Sequence, residues 1–76
     1  MFTDAERRIA WWLWENIHYA TPTKLNALGR IAFRHPHQGR SDHERDIRIL
    51  KTTALENQCA MPGELRVLMH LKGWIT

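Results

Sequence analysis

TDAERRIAWWLWENIHYA, residues 3–20, is the stretch on which the architecture of this chain turns. Its opening, Thr3, Asp4, Ala5 and Glu6, has the spacing of a capping box: the threonine oxygen accepts from the amide three residues on, and the glutamate reaches back to the threonine amide. A helix therefore starts here. It is predicted to run to about Tyr19, because Thr21, Pro22 and Thr23 follow, and proline disfavours helix in the residue before it. At about 100° per residue, Ala5, Ile9, Trp12, Leu13, Ile17 and Ala20 gather on one side as a core stripe. Arg7, Trp11, Trp14 and His18 fall on the opposite side at spacings of three and four, which makes them lateral neighbours on one surface.

Pro22 suits the first turn of a second helix, predicted over about Pro22 to Phe33 despite the cost of Gly29 in its interior. Leu25, Leu28, Ala32 and Phe33 are expected to point inward, and Thr23, Lys24, Asn26, Ala27, Arg30 and Arg34 outward. The cluster His35 to Arg40, with its proline and glycine, reads as a loop. Ser41 to Glu44 repeats the capping-box spacing and opens a third helix from about Asp42 to Gln58, with Ile47, Leu50, Ala54 and Leu55 inward. Pro62 and Glu64 mark the first turn of a fourth, which carries Leu65, Leu68, Met69 and Leu71. Gly73 fits the left-handed position that ends it, and Trp74 is expected to fold back towards Met69. No alternation typical of strands competes with this pattern, so the chain reads as all-α: one domain over residues 1–76, a small bundle of about four short helices, expected to pair as a homodimer.

Size makes stability a live question. A single core in a chain of 76 residues rarely supplies more than about 3–5 kcal/mol, and such proteins usually add a disulfide, a metal or a partner chain. With one cysteine, Cys59, no disulfide can form within the chain; that residue is expected to sit half-buried near a helix end, in a protein of the reducing cytoplasm. No run approaches the roughly 20 apolar residues needed to cross a bilayer, and the acids on the first helix argue against a lipid-surface role, so no membrane partner is expected.

Charge is unevenly spread. Between Glu15 and Asp42 lie Lys24, Arg30, Arg34 and Arg40 and no acid, so this stretch alone exceeds the formal +3 of the whole chain. An electropositive surface favours an acidic partner. Helix, tight turn, helix is also the layout of a helix-turn-helix; in that arrangement Asn26 and Arg30 would read bases while Lys24, Arg34 and Arg40 held phosphates.

Catalysis finds little footing. The acids cluster at helix starts, where they complement the helix dipole, and there is no glycine-rich phosphate loop. His35, His37 and His43 with Asp42 lack a metal-site spacing, so no metal, cofactor or small-molecule substrate is expected. The sequence thus points to a non-enzymatic regulatory or inhibitory protein that binds a protein partner, or its own copy, through Arg7, Trp11, Trp14 and His18. The alternative is a transcriptional regulator that binds nucleic acid through the second helix.

Overall fold

The computed structural model describes residues 2–33 and 40–76. Their elements run α1 (Asp4–Asn16), α2 (Pro22–Ala32), α3 (Arg40–Glu56), a single 3₁₀ turn (Gln58–Ala60) and α4 (Gly63–Leu71), with no strand among them. A radius of gyration of 11.4 Å is that of one compact body at this length.

Local chemistry explains most boundaries. Thr3 and Glu6 close the expected capping box: Thr3 Oγ1 accepts from the Glu6 amide, and Glu6 Oε1 accepts from the Thr3 amide at 2.8 Å. Thr21 caps α2 by accepting from the Lys24 amide, with Pro22 in the first turn. At the other end of the chain Gly73 has φ 77°, its amide donates to the His70 carbonyl and the Trp74 amide to the Met69 carbonyl. That is the paired arrangement of a Schellman cap, and it turns Trp74 back onto the core.

Two helices differ in extent from expectation. α1 ends at Asn16, not near Tyr19: Asn16 Nδ2 donates back to the Trp12 carbonyl at 2.8 Å, and Ile17 is already extended. A side-chain amide that competes for backbone groups is a poor helix interior, and here it closes the last turn. α3 opens at Arg40, so Ser41 stands inside the first turn instead of ahead of it.

The core is formed by Phe2, Ile9, Ala10, Leu13, Leu28, Ile31, Ala32, Leu50, Ala54, Met61, Leu65 and Met69. α2 packs on both α1 and α3, while α4 docks on α1. This central placement corrects the expected orientation of α2. Ala27 is fully buried although the wheel put it outside, and Phe33 is 47% exposed although the wheel put it inside. A helix wedged between two others buries a wide arc, and small residues such as Ala27 and Gly29 let the neighbours approach. Gly29 has a specific reason to be glycine: a Cβ there would stand 3.0 Å from Cζ3 of Trp14. Of the fourth helix, Leu65 and Met69 are buried and Leu68 packs on the core, whereas Leu71 is exposed. Cys59, expected half-buried, is exposed.

Two carboxylates lie within this interior. Asp46 is fully buried and takes both arms of Arg30, Nε to Oδ2 and Nη2 to Oδ1, each at 2.8 Å. Glu6, also buried, accepts from Lys72 Nζ at 2.8 Å and so ties the start of α1 to the end of the chain.

Candidate functional site

The outward side of α1 is built by helix geometry alone. Ile9, Ala10 and Leu13 fill the core, so residues half a turn away must face out. Asp4, Arg8, Trp11 and Glu15, at successive spacings of four, three and four, form a line of exposed side chains along the helix. Trp14 flanks this line on the side of α2 and lies over Gly29. Trp12, half-buried, flanks it on the other side and packs on the core.

Trp11 is 42% exposed and Trp14 37%. Phe33, just past the end of α2, meets both edge-on, with ring centroids 5.0 Å from Trp11 and 5.5 Å from Trp14. Such edge-to-face contacts are favourable, and they hold the three rings as one partly open aromatic cluster. Beside it runs an open groove of about 730 Å³, lined by the Asp4–Arg8–Trp11–Glu15 line, Arg7, Trp12, Ala32 and, from α4, Glu64 and Leu65. Arg8 Nη2 lies 3.6 Å from Glu64 Oε1 across this groove, an exposed and long contact.

The four residues expected to form one binding surface are only partly brought together. Trp11 and Trp14 share the aromatic cluster. Arg7 lies on the same helix with its side chain three-quarters covered; Nη1 pairs with Asp4 Oδ1 at 2.9 Å, and its buried Nε has no acceptor among the described residues. His18 is exposed but lies beyond the end of α1, in the connection to α2, so the helical spacing that placed it beside Trp14 does not apply to it. Phe33 is the member that the sequence pattern missed, since a wheel drawn on α2 alone cannot see that its last position reaches the aromatics of α1.

The basic stretch behaves differently. Arg30 is held by Asp46, and this carboxylate is the main reason its guanidinium is still harder to deprotonate than usual, against the opposing effect of burial. Lys24 Nζ lies 3.5 Å from Glu56 Oε1. Asn26 is exposed. Arg34 lies outside the described residues, as do His35 and His37, and of Arg40 only the backbone is described. The two described cations of this stretch thus turn to the acids of α3, and what looked like a one-signed surface is in part a charge-matched seam between helices.

Burial by itself would push the Glu6 carboxyl up. The hydrogen bond from Lys72, the amide of Thr3 and the Lys72 charge outweigh it and hold the group below its ordinary value. Among the described residues no three His, Cys, Asp or Glu side chains gather as a metal-binding group, and no helix is long and apolar enough to cross a membrane. No known protein family, no curated protein and no solved structure matches the chain.

Proposed function

We propose that this protein is a small, non-enzymatic regulatory or inhibitory factor of the cytoplasm that acts by binding another protein chain through the aromatic face of α1. One observation carries the reading: Trp11, Trp14 and Phe33 form a contiguous cluster, each more than a third exposed, above a core that is already closed beneath them. Large aromatic rings left in water on a small domain are a standing gain for any surface that covers them. Tryptophan is enriched among the residues that dominate binding energy, because its large flat ring buries much area for few frozen torsions. The groove beside the cluster adds charged rims around an aromatic wall, the usual arrangement of an apolar centre with a polar margin.

The test compares variants, all checked for native helicity. Tagged wild-type protein, Trp11→Ala and Trp14→Ala are used to capture partners from nuclease-treated lysate of the native host, with Arg66→Ala, an exposed position on α4, as control. The reading expects species retained by wild type and by the control but lost from both tryptophan variants. Identical captures from all four proteins would overturn it.

A further inference from the structure

We infer that the chain docked on this face is a second copy of the protein, its α1 lying antiparallel to the first about a two-fold axis between Trp11 and Trp12. The inference rests on the reading of the outward side of α1 as a binding surface and names its occupant; of the aromatic cluster, Trp11 stands at the centre of the contact, and Trp14 and Phe33 lie at its α2 margin.

The order of charges along the outward line favours a second copy. Arg8 stands one turn before the Trp11–Trp12 pair and Glu15 about one turn after it. Turning a second α1 end for end about that centre puts Arg8 of each copy opposite Glu15 of the other, and Trp11 of each copy opposite Trp12 of the other. Two copies laid parallel would instead oppose Arg8 with Arg8 and Glu15 with Glu15. The line is therefore complementary to itself in one orientation only, which is the property an isologous interface requires. Both charged groups are available for it. Glu15 makes no ion pair among the described residues, and the contact from Arg8 to Glu64 is 3.6 Å long with side chains 55% and 71% exposed, so it holds Arg8 weakly. A helix of 13 residues offers a contact about 20 Å long, at the small end for a protein interface, so the pairing is expected in the micromolar range.

Sedimentation equilibrium over about 1 µM to 1 mM tests this on the full chain, where complementarity of this size should be visible. Wild type is expected to show a reversible monomer–dimer equilibrium. Arg8→Glu alone and Glu15→Arg alone should each weaken it by about tenfold or more, since each turns two attractions into repulsions. The double reversal Arg8→Glu with Glu15→Arg should restore it, and so should mixing the two single variants. Circular dichroism of each variant verifies folding. As a second readout, carbodiimide treatment of Arg8→Lys should join position 8 of one copy to Glu15 of another in the covalent dimer.

A wild-type protein that stays monomeric across the range overturns the inference while leaving the capture experiment above to judge the face itself. A dimer that ignores the charge reversals overturns the antiparallel arrangement. Loss of capture by the tryptophan variants together with a monomeric wild type would assign the face to a different protein.

Discussion

The outward face of α1 and the seam between α2 and α3 look alike in the sequence, since both are polar or aromatic excess that an apolar core does not need. The structure treats them in opposite ways. At the seam Arg30 and Lys24 find Asp46 and Glu56, and the surplus charge is taken up within the fold. On α1 the ring of Trp11 meets Phe33, and that of Trp14 meets Phe33 and lies over Gly29, yet both stay more than a third exposed. Charge can be cancelled by an opposite charge on a neighbouring helix at the cost of one good geometry. Aromatic area can be removed from water only by more covering surface, and a chain of 76 residues has little to spare.

The most direct way to break the contrast is to open the seam. Arg30→Ala leaves the fully buried Asp46 without its two-armed partner, and removing one member of such a pair typically costs about 3–5 kcal/mol. The Arg30 side chain is 33% exposed, so water can partly replace it, and about 2–4 kcal/mol is expected. For a domain of this size that lowers Tm by roughly 10–25 °C, read by thermal denaturation followed by circular dichroism. Replacing both partners together, Arg30→Met with Asp46→Leu, should recover most of the loss, because no uncompensated charge is left inside. An unchanged Tm for Arg30→Ala would mean that the seam is as open as the α1 face.

A smaller effect is expected where the chain end is tied down. The folded Glu6 carboxyl lies below its ordinary value of 4.5, so the proton binds more readily to the unfolded chain. Its contribution to stability is then fully present above about pH 4.5 and is lost as the pH falls through the lowered folded value. Lys72→Met removes the ion pair and leaves burial opposed by the Thr3 hydrogen bonds alone; it should cost about 1–2 kcal/mol at neutral pH and flatten this part of the acid limb. Urea denaturation of both proteins between neutrality and acid pH measures the difference, and parallel curves would contradict the assignment.

Helix caps were legible in the sequence because they are local: Thr3 with Glu6, Thr21 with Pro22, and Gly73 with Trp74 each work through residues a turn apart. The seam was written there too, less openly. Asp46 sits four residues before Leu50 and eight before Ala54, on the core stripe of α3, and a carboxylate on an apolar stripe calls for a cation from the next helix. What the single helices could not reveal was packing order. A wheel drawn on α2 misplaces Ala27 and Phe33 because it allows for one neighbouring helix, and α2 has two. Helical spacing misplaces His18 because the Asn16 side-chain amide donates to the Trp12 carbonyl and the helix closes there, two residues before it.

Gly29 shows where the two regions touch, and a double substitution sharpens the point. Gly29→Ala should gain up to about 1 kcal/mol of helix propensity and spend most of it pushing the Trp14 ring, 3.0 Å from the new Cβ, outward. In a Trp14→Ala background the obstacle is gone, so the same change should stabilise by about 0.5–1 kcal/mol. Equal effects in both backgrounds would show that Trp14 does not rest on this glycine.

A modest stability effect is expected from the residue that matters most to the proposed interface. Trp11 is 42% exposed and its ring touches the edge of Phe33, so Trp11→Ala gives up part of one aromatic contact and little core packing. A loss of about 1–2 kcal/mol follows, well short of the 3–5 kcal/mol typical when a buried tryptophan is truncated. The same substitution should abolish association, because the ring stands at the centre of the exposed line. Stability and binding are thus expected to separate at this position and to move together at Arg30. If Trp11→Ala unfolds the protein instead, the ring is holding the fold, and the face has no surplus to offer a partner.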